Sequence, residues 1–273
     1  MWPCFFRIFS MSLRISGSSS TTIIFAIDFN RTCYDLRLHC EELKGIMRVG
    51  LIADIHSNLE ALKAVLHDMP RVDMMLCAGD IVGWCARPAE VIKTIRRRKM
   101  LIVKGEHDEA AASGKIGLVR GSAAEVIRWT KKKLGGREFG FLGDLPLKQE
   151  ITISDYKILM VHGSPLEPLR GRIKAGDLEG MARSVRDTDA DVIVVGHTHF
   201  PFQKMVLGKL VINPGSVGLP KDRDPRASYA LLELGREIKV GHRKVEYDVE
   251  RTKLAIRRAG LPGEIAVRLS FGW

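Results

Sequence analysis

The stretch MRVGLIADIHSNLEALKAVLHD, Met47 to Asp68, decides the fold. Arg48 to Ala53 is an apolar run short enough for a buried strand, and Leu59, Leu62, Val65 and Leu66 recur at helical spacing through Asp68. Between them stand Asp54 and His56, polar residues at the point where a strand hands over to a helix. In open α/β sheets that carboxyl end of the strand is where ligand-binding groups gather. On an extended segment, residues two apart point to the same side, so Asp54 and His56 are expected to grip one ion together.

Downstream the alternation of strand and helix continues, without an internal repeat. Val72 to Ala78 reads as a second strand, Pro88 opens a helix to about Lys99, and Met100 to Lys104 reads as a third strand. A helical region is expected from about Ser122 to Leu142. Gln149 to Ile153 and Lys157 to Val161 are expected to form a hairpin turning at Ser154 and Asp155. A helix near Leu178 to Arg186, a buried strand at Asp191 to Val195 and mostly β structure to about Val245 follow, with Thr252 to Ala259 as a terminal helix before Gly260 and Pro262. This alternation implies sheets flanked by helices. Upstream, residues 1–46 show no clear period. We read them as an extension of doubtful origin, disordered or translated from a start set too early, with residues 47–273 as a single domain. A genuine flexible or targeting extension is the alternative.

Composition narrows the classes. The 273 residues are 45% hydrophobic, ample for a buried core. The net charge of +11 suits an anionic substrate, but it is equally the charge of a solvated face. Basic runs such as Arg96 to Lys99 and Lys131 to Lys133 lack the interleaved aromatics of a single-strand platform, so nucleic acid is not the expected partner. The five cysteines include no CxxC pair, and no apolar run approaches the length needed to cross a bilayer. A cytoplasmic protein without a membrane span is expected, and the oligomeric state is left open.

Five clusters fall just beyond expected strand ends: Asp54 with His56, Gly79 with Asp80, Gly105 to Asp108, His162 with Gly163, and Gly196 to His199. Alone, each has an ordinary explanation as a turn or a polar loop. Their joint order is what points to metal. Carboxylates mixed with imidazoles suit Mn, Fe, Zn, Co or Ni better than Ca. Paired divalent ions about 4 Å apart serve phosphoryl displacement by an activated water, with a nearby imidazole assisting the leaving group. His39, His67 and His242 fit no cluster and read as surface or packing residues.

In sequence order these clusters resemble the signature of calcineurin-like metallophosphoesterases, DxH, GD, GNH[DE], H and GHxH. The passages GDIVG (Gly79 to Gly83), VHGSP (Val161 to Pro165) and INPGSVG (Ile212 to Gly218) with DPRASYAL after it resemble small stand-alone phosphodiesterases or diadenosine-tetraphosphatase-like members. The resemblance implies a four-layer αββα sandwich with two mixed sheets. It also implies two divalent transition-metal ions, Mn foremost: Asp54, His56 and His199 on one, His162 and His197 on the other, Asp80 bridging. It gives His107 and Asp108 catalytic roles at the leaving group. The expected function is hydrolysis of a phosphodiester or phosphoanhydride in a small, nucleotide-like substrate. A phosphomonoesterase or protein phosphatase is the runner-up, and a catalytically weakened scaffold is the alternative of another class.

One position departs from the pattern. Where the family has Asn, this chain has Glu106, which when ionised can accept but not donate. Direct ligation of the second ion is the expected outcome; a side chain swung away, or one that repels anionic substrates, are the others. Arg87, Arg170, Arg223 and Arg226 are the loop arginines considered for anion binding.

Overall fold

The computed structural model describes residues 45–273, together with the backbone of two short strands upstream, β1 (Phe9–Ser12) and β2 (Thr22–Phe25), which pair antiparallel with each other. The expectations for residues 1–46 otherwise lie outside the described residues. From Met47 the chain runs β3 (Met47–Ile52), α1 (Leu59–Asp68), β4 (Met74–Cys77), α2 (Pro88–Arg97), β5 (Leu101–Ile102), α3 (Glu106–Ser113), α4 (Ser122–Lys133) and α5 (Gly136–Gly143). It continues through β6 (Lys148–Ile153), β7 (Tyr156–Val161), α6 (Leu178–Val185), β8 (Val192–Val194), β9 (Phe202–Val206) and β10 (Lys209–Asn213). It ends with β11 (Ala227–Leu234), β12 (Ile238–Val245), α7 (Val249–Arg258) and α8 (Gly263–Phe271).

The strands form two five-stranded mixed sheets, ordered β12-β11-β3-β4-β5 and β6-β7-β8-β10-β9. In the first, β3 and β4 run parallel while β11 lies antiparallel against the other side of β3. In the second, β7, β8 and β10 are parallel, with β6 and β9 antiparallel at the edges.

The period-2 pattern of the strands explains the layers. Val49 and Leu51 of β3 and Leu76 of β4 meet Ile158 and Met160 of β7 and Val192 and Val194 of β8 in a core between the sheets. Their neighbours in sequence, Ile52 and Cys77, face outward under α1, α2, α3 and α4. On the far side, Leu159, Val161 and Ile193 face Met181 and Val185 of α6. Buried on both faces, these strands read as continuous apolar runs. The result is the αββα sandwich.

Two helical expectations need correction. The region from Ser122 to Leu142 is two helices, because Leu134 turns extended (φ −95°, ψ 147°) and Gly135 and Gly136 interrupt the pattern before α5, whose start is capped by Glu138 accepting from Gly135 N–H at 3.0 Å. The chain also does not end its helices at Ala259. Pro262, read as a stop, stands immediately before α8, where its fixed φ favours helix entry. Ile265, Ala266 and Leu269 of α8 pack with Cys85, Val126 and Leu219.

Leu51 is fully buried between the sheets, whereas Leu207 is 58% exposed in the β9–β10 turn. Leu51→Ala should therefore lower unfolding free energy by about 2–5 kcal/mol in urea denaturation, against roughly 0.5 kcal/mol or less for Leu207→Ala.

Candidate metal centre

The loops after β3, β4, β7 and β8 meet at one edge of the sandwich, and main-chain bonds lock them together. Asp54 N–H donates to Gly79 O (3.0 Å), His56 N–H to Asp80 O (3.0 Å) and Ser57 N–H to Ile81 O (2.9 Å), continuing the β3–β4 ladder past the strand ends. Gly196 N–H donates to His162 O (2.8 Å), doing the same for the second sheet. Across the seam, His197 N–H donates to Asp54 Oδ1 (3.2 Å).

Asp54, His56, Asp80, His197 and His199 all have left-handed backbone, with φ between 50° and 65°. Non-glycine residues held this way cost about 1–3 kcal/mol each and cluster at functional sites. Asp54 and His56 thus do converge, but through a tight loop rather than by strand alternation. Gly105 is required for a different reason: a Cβ there would fall 2.0 Å from Asp80 Oδ1.

The imidazoles are oriented by carbonyls. His56 Nδ1–H donates to Val82 O (3.2 Å), His162 Nδ1–H to Ala78 O (2.7 Å) and His199 Nδ1–H to Leu219 O (2.5 Å). This tautomer, assigned from the bonds, leaves the Nε2 of His56 and of His199 each with a lone pair facing the cluster, and turns the Nε2 of His162 toward Asp80. The Nε2 atoms of His56 and His199 lie 3.2 Å apart. Two lone pairs at that distance repel unless a cation stands against both. Asp54 Oδ1 is 3.8 Å from His56 Nε2 and 3.4 Å from His199 Nε2. Asp80 Oδ2 is 3.7 Å from His56 Nε2 and 3.4 Å from His162 Nε2.

Three sets of donors therefore converge: Asp54, His56 and His199; Asp54, Asp80 and His162; and His56, Asp80 and His107. Asp54 Oδ2 and His162 Nε2 are buried with no hydrogen-bond partner. Orphaned, buried oxygen and nitrogen donors of this kind fit divalent transition metals. His197 sits at the edge, its Nδ1 3.7 Å from Glu106 Oε1.

Electrostatics describe a site short of positive charge. Burial, with Asp80 beside it, pushes the Asp54 carboxyl up to about 7. Burial also opposes ionisation of Asp80, but His162 and His107 outweigh it and hold that carboxyl well below its usual range. His162 is the counterpart: burial disfavours its charge, yet Asp80 drives it up to about 10. Burial holds His56, His107 and His199 down, with Lys221 adding to the effect on each. Burial and Asp80 push Glu106 up to about 7, with His162, Arg170 and Arg172 pulling the other way.

Several expectations change here. Asp108, expected beside the leaving group, is fully buried and occupied as a loop anchor. Its Oδ1 accepts from Ile81 N–H (2.9 Å) and Val82 N–H (3.0 Å), and its Oδ2 from Gly105 N–H (3.0 Å). It ties the start of α3 to the Asp80 loop, buried among those backbone donors. His107 lies closer to the donors than expected, its ring 4.9 Å from that of His56, with Nδ1 buried and unpartnered. Glu106 points to the rim, between His197 and Arg170 (Nε to Oε2, 3.8 Å).

Of the loop arginines, Arg87 is neutralised by Glu60 (3.3 Å) and Arg226 by Asp224 (2.7 Å); Arg170 alone is seen against a site residue. Sequence reasoning passed over Arg172, whose Nε donates to His197 Nε2 at 3.4 Å, and Lys221. Both stand on loops outside the motif blocks, so spacing carried no signal for them. Their only sign was proximity to the VHGSP and INPGSVG passages.

Comparison with known proteins agrees with this geometry. A family model described as the calcineurin-like phosphoesterase superfamily domain matches residues 47–237. The uncharacterized protein MJ0912 of Methanocaldococcus jannaschii is 35% identical over 243 residues, covering 82% of this chain and 98% of that protein. The crystal structure of a metallophosphoesterase from Sphaerobacter thermophilus is 33% identical, with a TM-score of 0.72 over 84% of this chain and 100% of that one. The hypothetical protein PH1004 of Pyrococcus horikoshii OT3 superposes with a TM-score of 0.76 at 25% identity, over 83% of this chain and 99% of that one. Family match, sandwich and converging donors agree: this chain belongs to the calcineurin-like phosphoesterase superfamily and is a metal-dependent phosphoesterase.

Proposed function

We propose that this chain hydrolyses a phosphodiester or phosphoanhydride in a small, nucleotide-like molecule, using two divalent transition-metal ions, Mn foremost. The observation that carries the reading is the pair of Nε2 lone pairs, on His56 and His199, facing each other at 3.2 Å beside Asp54. Asp54, His56 and His199 would hold one ion. Asp80 and His162, with His197 and Glu106 at the rim, would hold the other, and Asp80, its Oδ2 3.7 Å from His56 Nε2 and 3.4 Å from His162 Nε2, would serve both. Ions bound there supply Lewis-acid charge at the phosphoryl oxygens and bring the pKa of a water toward neutrality.

The protein's own groups do the rest. Carbonyl-tethered imidazoles keep the donors from rotating away, so little reorganisation is needed when substrate arrives. His107, its ring 4.9 Å from that of His56, would donate an N–H to the oxygen of the departing group. Burial holds its pKa down, so it acts as a neutral hydrogen-bond donor in the first instance rather than as a standing imidazolium. No helix among the described residues is long and apolar enough to cross a membrane. The cytoplasm is the setting we propose, in keeping with the buried, free thiols of Cys77 and Cys85.

With added Mn, the protein should turn over bis-p-nitrophenyl phosphate faster than p-nitrophenyl phosphate, and chelation should abolish both; a monoester preference would favour the phosphomonoesterase reading, and no turnover with any divalent metal the scaffold reading. His107→Asn should lower kcat by roughly 10²- to 10⁴-fold while metal content by mass spectrometry stays at the wild-type value. Metal uptake should expel protons. Asp54 and Glu106 hold theirs up to about 7 and His162 up to about 10, so Mn affinity should tighten as pH rises through 7 and go on tightening toward 10. Calorimetry in buffers of different ionisation enthalpy checks this, and a pH-independent affinity would contradict it.

A further inference from the structure

The rim of the metal centre carries basic groups that the donor set does not use. The segment after His162 folds back on itself: Gly163 N–H donates to Pro168 O (2.6 Å), Ser164 N–H to Glu167 O (3.1 Å), Glu167 N–H to Ser164 Oγ (3.0 Å) and Gly171 N–H to Glu167 O (2.9 Å). Gly163 makes the fold possible, since a Cβ there would come within 2.6 Å of Glu167 O and Gly171 N. The tight loop presents Arg170 against Glu106 and Arg172 against His197.

Lys221 arrives from the other side on an equally constrained segment. Two residues before it, Leu219 O holds His199 Nδ1; just after it, Asp222 pairs with Lys244 (2.5 Å) and Arg223 N–H donates to Gly272 O (2.8 Å). Gly218 N–H donates to Asp54 O (2.9 Å), so the segment that carries Lys221 is pinned against the donor loop, and the lysine's charge works with burial to hold His56 and His199 down. Among the described residues it has no ion-pair partner, Arg172 faces only an imidazole, and Arg170 faces only Glu106. Arg87 and Arg226 are paired with carboxylates away from the donors, at 3.3 and 2.7 Å, whereas the carboxylate that Arg170 meets at 3.8 Å belongs to the rim itself.

We infer that Arg170, Arg172 and Lys221 form a second anion subsite beside the metal donors, which receives a further phosphate attached to the scissile one. The inference rests on the proposed phosphoesterase reading and selects within it. Asp54, Asp80 and Glu106 offset most of the charge of two divalent ions, so the three basic side chains are surplus to holding metal. A diester brings one negative charge to this surplus; a phosphoanhydride brings more, and guanidinium and ammonium donors form their strongest hydrogen bonds with such oxyanions. In the reaction water adds to the attacked phosphorus and the bridging P–O bond breaks. The electron pair stays on the departing phosphate, held at the subsite, and the water protons pass to the products and solvent.

The test uses orthophosphate and pyrophosphate as probes on the full chain, by calorimetry with free Mn held constant and again on chelated protein. Wild type should bind pyrophosphate at least about tenfold more tightly than orthophosphate. Lys221→Met and Arg172→Met should each bring that ratio toward one, with Mn stoichiometry unchanged and Lys221→Arg restoring it. Competition against bis-p-nitrophenyl phosphate turnover should show the same ratio in inhibition constants. No preference in wild type, or a preference that survives the Lys221→Met/Arg172→Met double variant, would overturn the subsite. If neither the diester nor pyrophosphate is hydrolysed with any divalent metal, the proposed function fails, while the calorimetric ratio still judges the subsite by itself.

Discussion

Two imidazole nitrogens that face each other at 3.2 Å with their lone pairs inward set the terms for this protein. Each is fixed there because its other nitrogen is spent on a backbone carbonyl, Val82 O for His56 and Leu219 O for His199. Neither ring can relieve the repulsion by changing tautomer without leaving that carbonyl unpaired. Burial resists protonation of both, so a proton is a poor filler for the gap. With Asp54 alongside, one oxygen of it buried and unpartnered, the fold concentrates acceptor atoms that a cation satisfies.

The sandwich exists in a form that can hold this tension. Donors come from both sheets: Asp54, His56 and Asp80 follow β3 and β4, while His162, His197 and His199 follow β7 and β8. The cost of left-handed backbone at five of these positions is offset by the ladder of main-chain bonds around them and by the dry core behind, where Leu51, Leu76, Met160 and Val194 are fully buried. Asp108 belongs to the same support. Its three backbone bonds make it a strut between two loops, and the position beside His107 that suggests chemistry in the sequence is in the structure the first turn of α3.

Much of this was legible in the residues. β3 and α1 follow from an apolar run and a helical stripe, and α1 begins and ends where the spacing places it, at Leu59 and Asp68. The β6–β7 hairpin turns at Ser154 and Asp155, with Ser154 in the left-handed region that such turns use. The donors were legible because each follows a strand end, a property of topology that survives without knowing side-chain direction. What was illegible depended on tertiary context. Gly135 and Gly136 interrupt a pattern otherwise continuous in polarity. Pro262 marks a helix boundary from either side, and only the apolar face of α8 against Cys85 and Leu219 decides which. Arg172 and Lys221 are distant in sequence and become neighbours of one centre only when two loops close over it.

The order of strands carries a last consequence, for how the chain is made. β3 does not lie at an edge. It is clasped between β4, which follows within a few tens of residues, and β11, which begins at Ala227. His199 likewise waits on Leu219, and Asp54 O on the Ser216 hydroxyl. A ribosome that has synthesised every donor named above still holds a chain whose first sheet lacks its second flank and whose rings lack one of their anchors. Closure must bridge a long loop of sequence, which slows folding and leaves the open flank of β3 exposed to other strands in the meantime. Metal affinity is therefore a late property of the nascent chain, arriving with its final quarter rather than with its motifs.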